Sequence, residues 1–388
     1  MKAAPKMTPR RDILVLLTDA FGGHGGIAAY NRDMLRALCE SPDVRRVVAI
    51  PRLAPAPVGD LPANLEFDLS AVGGAVPYLR ALTRQLRHGG FDLVYCAHVN
   101  LSPLGWIASK LLRVPWLLAL YGVEAWRESP RRLTAFCARR ADHLVAISRL
   151  TLDRFLAFAN YDRDRTSLMP NAIHLGQFGL APRNVELERR LDVDGRKVIL
   201  TLGRMDSSER YKGFDAVLEC LPSLARRVPN LTYLLAGDGD DRPRLERKAV
   251  DLGVADKTRF TGYIKEQEKA DLFRLADAYV MPSYGEGFGF VFLEAMACGV
   301  PVIGSRTDGS REALLDGELG RLVDPHDLKE IEDAVVAALD EPKRIPARLE
   351  YFSYDAFRTR VCGMIHDLFD RSSKRRALVP QPGIVGKT

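Results

Sequence analysis

The chain has 388 residues, 47% of them hydrophobic, and a formal net charge of +6. That length suits two ordinary domains with a core each. No apolar run approaches the roughly 18 residues of a membrane span, and the basic residues after Met1 lead to no apolar segment with a cleavage site, so neither a spanning helix nor a signal peptide is expected.

Charge is uneven along the chain. Residues 1–170 carry 23 Lys and Arg against 15 Asp and Glu, and the remainder carries 33 against 35. A basic first half suits an anionic membrane surface, a phosphorylated acceptor or nucleic acid. No nucleic-acid module accompanies it. The six cysteines form no C-x-x-C pair and sit mostly in apolar patterns. They read as reduced thiols of a cytoplasmic protein.

Residues 12–18 form an unbroken apolar run, which predicts a buried parallel strand. The glycine loop 22–26 and a helical pattern over 27–39 follow. Strand, glycine loop, helix is an arrangement that binds phosphate. Gly23-x-Gly25-x-x-Ala28 matches a dinucleotide fingerprint, but the ribose-binding acid expected after the second strand is replaced by Pro51 and Arg52. Residues 78–87 read as a basic amphipathic helix. Strands at 91–97 and 115–120 end at His98 and at Tyr121-Gly122-Val123-Glu124. A further strand at 143–148 precedes Asn171, which is expected to cap the crossover out of the first half.

The second half repeats the pattern, so two doubly wound sheets are expected. The strand 197–202 is followed by Gly203-Arg204 and Lys212-Gly213, two cations on one loop before a helix. The strand 231–236 ends in Asp238-Gly239-Asp240. Gly262-Tyr263-Ile264 follows another short strand. Residues 278–281 then lead into P-S-Y-G-E-G-F-G-F-V-F-L-E-A-M-A-C-G-V-P, residues 282–301. Its glycines mark a loop, and 290–298 suit a helix stopped by Gly299. Glu286 sits in the loop and Glu294 in the helix. Free N–H groups at the helix start suit an anion, and carboxylates suit hydroxyl groups. A nucleotide sugar carries both. Residues 353–369 suit a last helix.

The string E-G-F-G-x-x-x-L-E-A-M-A-x-G-x-P resembles the signature of retaining glycosyltransferase family 4, an α/β family with the GT-B fold. The G-R…K-G loop and P-N-A-I-H at 170–174, similar to the family's P-N-G-V-D, extend the resemblance over most of the chain. It implies two Rossmann-like domains facing a cleft: 1–175 on the acceptor side and 176–352 on the nucleotide-sugar side. Residues 353–372 would cross back as a helix, and 373–388 would be a disordered tail. Arg204, Lys212 and Glu286 would carry catalysis. The donor would contact Gly25, Gly26, Arg204, Lys212, Glu286, Gly287 and the Phe288 and Gly289 amides. Glu294 would take the ribose, with Tyr263 and Ile264 at the base. The family often has His where this chain has Tyr121, so Tyr121, His98 and Glu124 are the candidate sugar or acceptor contacts.

No cofactor is expected, because two cationic side chains replace a metal. Asp238 and Asp240 are then loop and cap acids. The implied reaction moves a hexose from a UDP- or GDP-sugar to a glycan or lipid-linked acceptor in cell-surface polysaccharide synthesis. The alternatives are an NAD(P)-dependent oxidoreductase, or an epimerase or phosphorylase of the same fold. Leu79, Leu82 and Leu86 among Arg80, Arg84 and Arg87, and Leu133 and Phe136 among Arg131, Arg132, Arg139 and Arg140, either fill the core or rest on an anionic membrane at its inner face.

Overall fold

A computed structural model describes residues 10–129 and 131–378. The first half contains β1 (Arg11–Leu17), α1 (Gly26–Glu40), β2 (Val44–Pro51), β3 (Leu65–Phe67), α2 (Ala75–His88), β4 (Leu93–Cys96), α3 (Ser102–Leu112), β5 (Trp116–Leu120), α4 (Arg132–Ala138), β6 (His143–Ala146), α5 (Arg149–Ala159) and β7 (Thr166–Leu168). The second contains α6 (Val185–Arg190), β8 (Lys197–Leu202), α7 (Phe214–Arg227), β9 (Leu231–Ala236), α8 (Arg242–Asp251), β10 (Thr258–Gly262), α9 (Lys269–Leu275), β11 (Ala278–Met281), α10 (Phe290–Ala297), β12 (Val302–Ser305), α11 (Ser310–Ala313), β13 (Arg321–Val323) and α12 (Leu328–Leu339). A long helix, α13 (Tyr354–Leu378), ends the described chain.

Two wholly parallel sheets result, ordered β3-β2-β1-β4-β5-β6-β7 and β10-β9-β8-β11-β12-β13. The apolar runs explain them, because a parallel strand is buried on both faces. In β1, Ile13, Val15 and Leu17 join one core, while Leu14 and Leu16 join another under α2, α3 and α5. The first of these cores runs on into the second half and takes in Leu200, Phe288 and Phe352.

The chain crosses between the halves twice, side by side. Ile173 N donates to Phe352 O at 2.8 Å, and Tyr354 N donates to Ile173 O at 3.1 Å. From there α13 lies against α1, with Phe357 edge-on to Tyr30 at 5.6 Å between ring centroids. The helix continues through residues 373–378, which therefore do not form a disordered tail; residues 379–388 of that expectation lie outside the described residues. Asn171 does not cap the crossover: its Oδ1 is buried and has no partner among the described residues.

Candidate active site

In each sheet the order reverses beside the first strand, between β1 and β4 and between β8 and β11. Loops leaving neighbouring strands diverge at such a point and open a crevice. The loops after β8 and β11 are the ones that carry Arg204, Lys212 and Glu286. They meet the first half around a cavity of about 310 Å³. Gly26, Tyr121, Gly122, Glu124 and Asn171 line it on one side, and Arg204, Lys212 and residues 285–291 on the other.

The two cations are already paired with an acid. Glu209 lies 2.7 Å from Lys212 Nζ and is also bonded by Arg204. Lys212 is largely buried, whereas Arg204 is exposed. Burial pushes the Glu286 carboxyl above the ordinary range, and nearby Lys212 opposes that shift. Gly287 N donates to Glu286 Oε1 at 3.1 Å, and the Phe288 amide also favours the ionised form. The loop itself hangs on Asp308, whose Oδ2 accepts from Ser283 Oγ at 2.7 Å and from Glu286 N at 2.8 Å. Only glycine fits at 287, where a Cβ would stand 2.7 Å from Tyr121 O.

Glu294 lies on α10, buried beneath the cleft and outside its lining. Lys269 Nζ donates to its Oε1 at 2.9 Å, while Oε2 has no partner among the described residues. On the first half, Glu124 Oε1 accepts from the amides of Tyr121 at 2.8 Å and Gly122 at 3.1 Å. Burial raises its pKa. The Tyr121 hydroxyl donates to Asn31 Oδ1 at 2.7 Å, so it is committed to the interior and not held ready for a sugar or phosphate. His98 stands behind Tyr121, 6.5 Å between ring centroids, and Nδ1 accepts from Asn100 N. Burial lowers its pKa, and the nearby Arg52 charge lowers it further.

Of the predicted residues, Gly25, His98, Tyr263, Ile264 and Glu294 lie outside the cavity lining. Gly25 immediately precedes α1 with φ at +87°, a conformation that favours glycine. Tyr263 is exposed and Ile264 packs on the core. Asp240 does not cap a helix; it accepts from Ser207 N at 2.8 Å and Ser207 Oγ at 2.7 Å, and Asp238 accepts from Gly239 N. Sequence reasoning missed Glu209, Asp308, Lys269 and the cavity-lining place of Asn171. Glu209 had a signal in its spacing three residues before Lys212. Asp308, 22 residues beyond Glu286, had none.

Residues 25–172 match the glycosyl transferase 4-like domain, and residues 184–356 match the glycosyl transferases group 1 family. A GDP-mannose-dependent alpha-(1-6)-phosphatidylinositol monomannoside mannosyltransferase of Mycolicibacterium smegmatis is 35% identical over 262 residues, 65% of this chain and 68% of that one. A phosphatidyl-myo-inositol mannosyltransferase of Mycobacterium tuberculosis is 31% identical over 298 residues, 74% and 73% of the two chains. Among solved structures, the sucrose-phosphate synthase of Thermosynechococcus elongatus superposes with a TM-score of 0.75 at 20% identity, covering 93% of this chain and 100% of that one. Anabaena HepE in complex with UDP-glucose gives 0.73 at 20% identity, covering 92% and 100%. The chain belongs to glycosyltransferase family 4 and has the GT-B fold. Members of this family take their sugar from a nucleotide donor, so the dinucleotide reading of Gly23-x-Gly25-x-x-Ala28 gives way.

Proposed function

We propose that the chain transfers a hexose from a UDP- or GDP-sugar to a glycan or lipid-linked acceptor of the cell surface. The anomeric configuration is retained, and no metal takes part. The observation that carries this reading is the meeting of Arg204, Lys212 and Glu286 in one cavity between the halves. The names of the two mycobacterial relatives favour GDP-mannose as donor and an inositol lipid as acceptor.

The diphosphate displaces Glu209 from Arg204 and Lys212, and the unpartnered Oε2 of Glu294 takes a ribose hydroxyl. As the bond from sugar C1 to phosphate oxygen breaks, charge grows on the leaving group, where the two cations neutralise it. The acceptor oxygen bonds to C1 on the same face and its proton passes to the departing phosphate oxygen. No protein base is needed. Glu286 holds the sugar hydroxyls, and Asn171 Oδ1 and Glu124 offer acceptors from the first half.

A panel of UDP- and GDP-hexoses tests this, read by thermal shift and then by turnover. The true donor raises the melting temperature by mass action. Arg204→Ala and Lys212→Ala each lose about 10²–10³ in kcat. Activity survives EDTA. Loss with EDTA and rescue by Mn²⁺ would bring Asp238 and Asp240 into the reaction, and inverted product would exclude the same-face route.

The first half also suits an anionic membrane. Among the described residues no helix is long and apolar enough to cross one. Leu82 is core, but Val76 and Leu79 on α2, Ile107 and Leu111 on α3, and Leu133 and Phe136 on α4 are exposed. Arg80, Arg84, Arg87, Lys110 and Arg132 are exposed on the same three neighbouring helices. Each cation near a lipid surface adds about 1 kcal/mol. Co-sedimentation with anionic vesicles, weakened by Arg80/Arg84/Arg87→Glu and absent with neutral ones, is the expected result.

A further inference from the structure

The halves are also joined away from the cavity, by an acid on the second and a helix on the first. Glu312 Oε2 accepts from Arg149 N at 2.6 Å, and Oε1 accepts from Leu150 N at 2.8 Å. These are the first two amides of α5, which have no partner inside their own helix. The third, Thr151 N, is taken by Ser148 Oγ at 3.1 Å. Glu312 thus completes the cap of a helix that precedes it by more than 160 residues.

The segment that carries Glu312 also holds the reaction loop. Asp308 accepts from Glu286 N at 2.8 Å, and Gly309 N donates to Glu286 O at 2.9 Å. Both backbone polar groups of Glu286 are therefore bound to residues three and four positions before Glu312. On the other side of the loop, Gly287 lies against Gly122, where a Cβ built on Gly122 would stand 3.5 Å from Gly287 Cα. The segment 308–312 grips Glu286 at one end and the first half at the other.

We propose that Glu312 is a positioning residue that ties closure of the two halves to the placement of Glu286. It rests on the reading of Glu286 as a donor contact. When the halves part, the carboxylate leaves α5 and the segment can shift, carrying Glu286 with it. The donor then meets Glu286 in its working place only in the closed form, as expected of a conformational step that completes a site. A cap that served stability alone would lower the melting temperature and leave turnover untouched.

The test uses the full chain. Glu312→Gln keeps one accepting oxygen and Glu312→Ala keeps none. Arg149→Pro removes one donor from the other partner, at a helix position where proline is well tolerated. Charge-assisted bonds of this kind predict a fall in kcat of about 10-fold for Glu312→Gln and Arg149→Pro, and about 100-fold for Glu312→Ala. Binding of UDP and GDP, measured by calorimetry, stays close to the wild-type level, because Arg204, Lys212 and Glu294, which hold most of the nucleotide in this reading, all lie on the second half. The double variant Glu312→Gln/Arg149→Pro falls no further than about the worse single one. Small-angle scattering of Glu312→Ala shows a larger radius of gyration than wild type.

Wild-type kcat in all three variants, or losses that simply add, would overturn the proposal, as would unchanged scattering. Glu286→Gln separates the two readings. If that variant keeps full turnover, the donor role of Glu286 fails, while an expanded Glu312→Ala still establishes closure by Glu312.

Discussion

Glu294 and Lys269 show how a buried charge is held. Burial raises the Glu294 carboxyl, and Lys269 pulls it back. The lysine is partly buried itself; burial alone would lower its pKa, yet Glu294 and Glu266 raise it. Lys269→Met leaves the carboxyl without its cation, so Glu294 takes up a proton at higher pH. The expected result is a donor KM that rises about 10-fold, since one pKa unit of lost charge contact is worth about 1.4 kcal/mol. It recovers as pH rises, with kcat less affected. A KM profile identical to wild type between pH 6 and 9 would remove Lys269 from the site. The sign for stability follows. A carboxyl whose folded pKa lies above 4.5 favours folding most at low pH, and that contribution is lost as pH rises through the raised value.

At the level of elements, α7 and α8 are clamped by charge. Arg244 donates to both oxygens of Asp215 at 2.7 Å, and Lys248 adds a bond at 2.6 Å. Burial alone would raise Asp215, but these hydrogen bonds hold it at about 2, well below 3.8. Its contribution is therefore present above pH 3.8 and fades as pH falls toward 2. Arg244→Ala is expected to cost about 1–2 kcal/mol, because the pair is partly solvated. Melting curves check this, and the difference from wild type should shrink below pH 4. The clamp also marks where sequence reading stops. The apolar runs of β1, β8 and β11 were visible because a strand buried on both faces needs them. The loop carrying Glu286 was visible because its glycines are crowded. Asp215, Asp308 and Glu312 were not, because an acid is exposed by default and only distant partners give it a role. Tyr121 shows the same limit: its position at the strand end was legible, and the Asn31 that claims its hydroxyl was not.

For the whole molecule, Gly287 and Tyr121 meet where the two halves line the cavity. Gly287→Ala puts a methyl group where 2.7 Å separates the Cβ site from Tyr121 O. Such contact forces the halves apart, so kcat should fall by about 10² or more for a misplaced site, with the affinity for free UDP or GDP falling less than kcat. Calorimetry beside initial rates decides it, and full activity would show that closure does not need this contact. The return of α13 to α1 has a consequence for synthesis. The covering helix begins 180 residues after His174, at Tyr354. A ribosome takes about 10–40 s over that distance. Throughout, a first half complete in its own strands waits with the Tyr30 side of α1 uncovered. A nascent chain halted at residue 340 should therefore be cut readily by protease near α1, and one released at full length should resist. The enzyme's first-made half would then be the last to become safe from degradation.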